Sequence, residues 1–137
     1  MERKIINELY KLSMKAYKKN DVPVSAIIIK NNKIIAKAYN KKNIENNAFL
    51  HAEIVCIQKA YKKLKTWNLS DCILYVSLEP CNMCKEIIQN SRISKVIYIL
   101  PKGKITNQYK KTEYEQMYVA SDSFKNLMDV FFKKLRK

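Results

Sequence analysis

Residues 24–29 form an almost unbroken apolar, β-branched run, Val-Ser-Ala-Ile-Ile-Ile. A strand of this kind has no polar face to give to water, so it must lie inside a sheet that is covered on both sides. Asn31-Asn32 supplies a two-residue turn into a second strand, Lys33 to Tyr39, and the two read as a hairpin. The rest of the chain has to provide the covering layers.

Helical patterns do so at the expected intervals. Ile5, Leu9, Leu12 and Ala16 recur at helical spacing between lysines, which predicts an amphipathic helix over roughly the first twenty residues, ending at Asn20-Asp21-Val22-Pro23. Ile54, Ile57, Tyr61 and Leu64 mark a second helix that begins near Leu50, with Asn46 and Asn47 as candidate caps. Residues 72–78 read as a strand, Pro80 introduces a short helix from Cys81 to about Asn90, and residues 96–100 read as a strand stopped by Pro101-Lys102-Gly103. Between there and Ala120 periodicity is weak, and residues 117–119 are the candidate for one more short strand. Phe124, Leu127, Met128, Phe131, Phe132 and Leu135 then form an apolar stripe on a C-terminal helix capped by Ser121 or Asp122.

Strands joined through helices argue for a largely parallel sheet. With the hairpin added, the expectation is an α/β protein: a three-layer α/β/α sandwich on a mixed sheet of four to five strands, with helices on both faces. At 137 residues, 47% of them apolar, the chain fits a single domain spanning residues 1–137. No stretch approaches the roughly 18 consecutive apolar residues of a membrane span. Met1-Glu2-Arg3-Lys4 leads into the helical pattern with no apolar signal region behind it, so a cytoplasmic protein is expected. Four cysteines in that setting are expected to be reduced thiols.

Chemistry concentrates in two short segments, His51-Ala52-Glu53 and Pro80-Cys81-Asn82-Met83-Cys84. Residues two apart on a helix point in nearly opposite directions, so His51 and Glu53 can serve one site only if it lies off the helix's N-terminal end. Cys81 and Cys84 are three apart and share a face, and at a helix N-terminus the dipole and free amides favour the thiolate. Two helix N-termini following two strands of the same direction converge on one sheet edge, where such sheets place their ligand sites.

Taken alone, Cys81-x-x-Cys84 is compatible with a redox pair, or with half of a structural zinc site completed by Cys56 or Cys72. The single histidine is compatible with a satisfied core residue. Both segments together point to one catalytic zinc ion held by His51, Cys81 and Cys84, with the fourth tetrahedral position left for water. Zinc would acidify that water, and Glu53, which would not bind the metal, would move its protons. Cys56, on an apolar helix, and Cys72, opening a strand, read as core thiols.

On these residues the chain resembles the bacterial tRNA-specific adenosine deaminases of the zinc-dependent cytidine/deoxycytidylate deaminase superfamily. The likeness also rests on Asp21-Val22-Pro23-Val24, Asn40 after the hairpin, Leu74 to Cys81, Met83-Cys84 and Ser91-Arg92-Ile93. It extends to Phe131-Phe132 followed by Lys133, Lys134 and Arg136. The resemblance implies a cytidine deaminase-like fold and a homodimer with active sites near its interface. It further implies conversion of the wobble adenosine of a tRNA anticodon stem-loop to inosine, with Asn40 hydrogen-bonding the flipped base. Phe131 and Phe132 fit the core stripe as well as an RNA contact and stay outside the expected site. Two departures stand out: Ser25 where the family commonly has glycine, and Leu100-Pro101-Lys102-Gly103-Lys104 with a shorter connection where the family has an Arg-Asp pair and a glycine-containing loop.

The net charge of +15, from 27 basic and 12 acidic residues, supports an RNA partner without establishing one. The lysines are spread along a chain rich in asparagine, isoleucine and tyrosine, as A+T-rich codon usage produces. Two other functions share the same core: deamination of a free base or nucleotide such as guanine, cytosine or deoxycytidylate, and a non-catalytic zinc-containing RNA-binding subunit. Glu53 speaks against the latter, since a structural site has no need of that carboxylate.

Overall fold

The computed structural model describes residues 1–102 and 112–135. Gly103, Lys104 and Arg136, which figured in the sequence comparison, lie outside the described residues. Among the described residues the order is α1 (Glu2–Lys18), β1 (Ser25–Lys30), β2 (Lys33–Tyr39), α2 (Ala52–Leu64) and β3 (Cys72–Leu78). It continues with α3 (Asn82–Asn90), β4 (Lys95–Leu100), β5 (Glu113–Gln116) and α4 (Ser123–Leu135). The strands form one sheet in the order β2-β1-β3-β4-β5.

β1 is central, as its apolar run requires, and successive side chains enter opposite layers. Ala26 and Ile28 pack with Ile54, Val55, Ile57, Leu74, Val76 and Ile88 beneath α2 and α3. Ile27 and Ile29 pack with Ile5, Leu9, Leu12, Ile97, Ile99 and Phe124 beneath α1 and α4. This is the expected α/β/α sandwich. No helix among the described residues is long and apolar enough to cross a membrane.

The sheet is less parallel than the element order suggested. β1 pairs antiparallel with both β2 and β3, while β3–β4 and β4–β5 are parallel. The hairpin turn at Asn31 and Asn32 takes positive φ at both residues, 51° and 61°, which suits the twist of the flanking strands and reverses the chain. Since β1 opposes both of its neighbours, β2 and β3 run the same way. The helices that follow them, α2 and α3, therefore start at the same sheet edge.

Two boundaries differ from the sequence reading. The extra strand lies at Glu113–Gln116, just before the expected residues 117–119, and Met117 instead packs into the α1/α4 layer. β5 is an edge strand with a largely exposed, polar sequence, so its residues carry no apolar alternation to read. α2 begins at Ala52 with His51 as N-cap, and neither Asn46 nor Asn47 caps it. Asn47 Oδ1 instead accepts from the N–H of Phe49 within the preceding turn. At the C-terminal helix the Asp122 carbonyl accepts the first helical bond, from the N–H of Asn126, which puts Asp122 at the N-cap, and Ser121 Oγ accepts from the N–H of Ser123 in the turn that leads in.

Ser25, where the family commonly has glycine, is fully buried and satisfied. Its hydroxyl donates to the Leu9 carbonyl at 2.7 Å and lies 2.8 Å from Ser13 Oγ, tying α1 to β1, and Ser77 Oγ accepts from its N–H.

Candidate active site

The two motif segments meet at the sheet edge shared by the starts of α2 and α3. His51 and Cys81 are both N-cap residues in extended conformation, with φ/ψ of −67°/152° and −73°/172°, and neither side chain caps its own helix. An N-cap residue has left the helical path, so His51 escapes the opposed geometry of positions i and i+2 and shares a site with Glu53. Cys84, in the first turn of α3, is buried.

The three donor atoms lie within 4.8 Å of one another. His51 Nδ1 is 3.8 Å from Cys81 Sγ and 3.5 Å from Cys84 Sγ. Tetrahedral zinc, with bonds of about 2.3 Å to sulfur and 2.0–2.1 Å to nitrogen, separates sulfur and nitrogen by about 3.6 Å. The residues fit such an ion.

Their electrostatics fit as well. The Cys84 thiol and then the His51 ring, both within hydrogen-bonding reach, hold the Cys81 thiol down to about 3. Cys84, beside that thiolate and buried, is pushed up, so it keeps its proton until a cation offsets the charge. His51 is raised, first by its hydrogen bond with Cys81. Cys56 and Cys72 stand apart from the group. Both are buried core thiols, and burial raises both.

Glu53 is 4% exposed, and burial raises its carboxyl above the ordinary carboxylate range. It is hydrogen-bonded to Cys84 and lies beside the donor group without belonging to it. With His51 and Cys81 it lines a cavity of about 320 Å³, whose walls include Val22, Asn40, Lys42, Lys102 and Phe132. Asn40 is held from two sides. Its Oδ1 accepts from the N–H of Ala52 at 2.9 Å, and its Nδ2 donates to Asp21 Oδ1 at 3.4 Å. That leaves one amide N–H and one lone pair for a ligand.

Sequence reasoning kept Phe131 and Phe132 together in the core stripe, and the structure separates them. Phe131 is buried at 1% exposure, whereas Phe132 is 40% exposed and lines the cavity with Met128. Adjacent helical residues differ by about 100° in direction, so one stripe cannot hold both. Lys42, Lys102 and Glu79 were missed. Glu79 is buried, pairs with Lys85 at 3.4 Å, and accepts from the N–H of Lys102 at 3.1 Å, fixing the chain at the cavity wall. An acidic residue before Pro80 and a lysine after Cys84 carry no signal of burial in a sequence.

A cytidine deaminase-like sandwich with a His/Cys/Cys donor group at two helix starts defines a deaminase, and a family model described as MafB19-like deaminase matches residues 2–136. The tRNA-specific adenosine deaminase of Bacillus subtilis is 34% identical, over 96% of this chain and 89% of its own length. That of Aquifex aeolicus is 39% identical, over 89% and 87%. The chain belongs to the family of tRNA-specific adenosine deaminases. A solved tRNA:A34 deaminase, described for A-to-I editing at the wobble position, shares the fold with a TM-score of 0.76 at 24% identity, over 85% of this chain and 100% of that one. Bacillus subtilis guanine deaminase superposes with a TM-score of 0.64 at 27% identity, over 93% and 88%.

Proposed function

We propose that the chain is a zinc-dependent hydrolase that converts adenosine to inosine at the wobble position of tRNA. In this reading residues 1–137 act as one deaminase domain. The observation that carries it is the convergence of the His51, Cys81 and Cys84 donor atoms within 4.8 Å, next to the buried Glu53 carboxyl, on a cavity of about 320 Å³. Such a volume is at the small end of ligand pockets and suits one base.

His51, Cys81 and Cys84 would hold the zinc ion, which when bound would supply the Lewis acidity that makes water nucleophilic near neutral pH. Glu53, beside the donor group, would take a proton from the attacking water and return protons to the ring nitrogen and then to the departing amine. C6 of adenine gains the oxygen and loses ammonia. Asn40, anchored by Ala52 and Asp21, hydrogen-bonds the base. An anticodon loop offers an unpaired adenosine at small unstacking cost. The names of the curated relatives and the +15 charge support tRNA as the substrate. Family likeness supports a homodimer acting in the cytoplasm, and light scattering on the purified protein tests the dimer.

Incubation of the zinc-loaded protein with a total tRNA pool, followed by sequencing for inosine, tests the assignment. A second reading, deamination of free guanine, is favoured by the likeness to the Bacillus subtilis guanine deaminase. Rapid turnover of guanine with no inosine in RNA would move the assignment there.

A further inference from the structure

Of the basic side chains among the described residues, only Lys85 is buried, at 4% exposure, and the chemistry assigned to the site makes no use of it. A buried ammonium is costly unless it is paired. Lys85, on α3, places Nζ 3.4 Å from Glu79 Oε2 and 5.2 Å from the centre of the Tyr114 ring on β5.

Glu79 stands where the parallel pairing of β3 and β4 runs out. The register reaches Leu78 opposite Leu100, and the N–H of Glu79 donates to the Leu100 carbonyl at 2.8 Å. Pro101 has no N–H with which to continue the ladder. The Glu79 side chain takes over: its Oε1 accepts from the N–H of Lys102 at 3.1 Å, which holds the chain against the β3–α3 junction for one residue beyond the proline. Lys102 and Glu79 both line the cavity. The other carboxylate oxygen is the one that Lys85 holds. Without that ammonium a carboxylate only 3% exposed would lose its charge partner, and turning toward water, which frees Lys102, would be its readiest relief. Lys85 also reaches the far flank of the segment between β4 and β5, since Tyr114 is paired with Val96 in the β4–β5 register.

We propose that Lys85 is a positioning residue: through Glu79 it seats Lys102 in the wall of the cavity and so sets how tightly the target nucleotide is held. This rests on the tRNA reading above. Lys85 does not line the cavity, and its influence runs through the wall alone. In a space of about 320 Å³ a shifted wall changes the fit of substrate and transition state alike, which is read in KM rather than in kcat.

The test combines hydrogen exchange of single amides, followed by NMR on the full-length zinc-loaded protein, with the kinetics of inosine formation in an anticodon stem-loop. Lys85→Met should speed exchange at the Lys102 amide about tenfold, while the Glu79 amide, which bonds to Leu100, keeps its protection. KM for the stem-loop should rise about fivefold with kcat within about twofold of the wild type. Lys85→Arg keeps the charge and should restore both readouts. Glu79→Leu/Lys85→Met removes both charges and regains stability but has no acceptor for the Lys102 N–H, so fast exchange and high KM should persist in it. The same double variant carries the test if Lys85→Met does not fold. Either readout unchanged in Lys85→Met, or both returned to wild type in the double variant, would overturn the proposal and leave Lys85 a residue of stability alone. A wild-type protein that makes no inosine would sink the tRNA reading, and exchange at Lys102 would still decide whether Lys85 seats the wall.

Discussion

Asn40 Oδ1, on the residue after β2, accepts from the N–H of Ala52, the first residue of α2, at 2.9 Å. The helix is thereby capped from twelve positions upstream, and His51, which occupies the N-cap, keeps its ring for the donor group. Asp21 holds the Asn40 amide in turn and satisfies three further backbone N–H groups, so a single buried carboxylate organises the wall of the cavity.

Asn40→Ala should therefore destabilise the protein by about 1–3 kcal/mol, the usual cost of leaving a buried donor unpaired. Asn40→Asp restores the acceptor but sets a second carboxylate against Asp21, so it should rescue little at neutral pH. Urea unfolding of both variants reads this. Wild-type stability in Asn40→Asp would show that the amide's contact with Asp21 is of no consequence.

One zinc per chain is expected, lost in Cys81→Ala and Cys84→Ser and kept in Cys56→Ala and Cys72→Ala. The first two residues supply donor atoms at the helix starts, while the others are buried core thiols outside the group. Elemental analysis of the purified variants decides it, and zinc retained by the Cys84 variant would mean a different ligand set.

Glu53→Gln should lower deamination by at least about a hundredfold, the scale of a lost general acid–base group, with zinc content and stem-loop affinity nearly unchanged. Mass spectrometry of digested RNA measures the inosine formed. Activity equal to wild type would remove Glu53 from the proposed chemistry.

Lys85→Ala should cost about 3–5 kcal/mol, because it strands the buried Glu79 carboxylate. Glu79→Gln/Lys85→Met, which removes both charges, should recover most of that loss in thermal unfolding. A double variant no more stable than the single one would show that the pair's value lies in its charge.

The grouping of His51, Cys81 and Cys84 was legible because metal chemistry demands particular side chains in one place, and the structure brings their donor atoms together. β1 was legible because a strand buried on both faces leaves no polar alternation. What escaped was whatever depends on partners distant in sequence. Asn40 as a cap for Ala52 needs the hairpin folded back against α2 before it can be seen, and the burial of Lys85 depends on Glu79 being folded in with it. Sheet direction escaped for a similar reason, since β1 and β3 meet only after α2 has crossed between them. β5 was misplaced because an exposed edge strand offers no apolar pattern.

The adjacent residues Phe131 and Phe132 meet edge to face, with ring centres 5.3 Å apart, and Phe131 also contacts Tyr17 of α1 at 6.5 Å. A change in how α1 seats against α4 is thus passed through the core ring to the ring at the cavity mouth. Variation that resizes the opening has targets such as Tyr17 that do not line the cavity. Selection for a bulkier or smaller base can proceed through them while the residues that perform the chemistry stay unchanged, so substrate range and catalytic power can be inherited and altered separately.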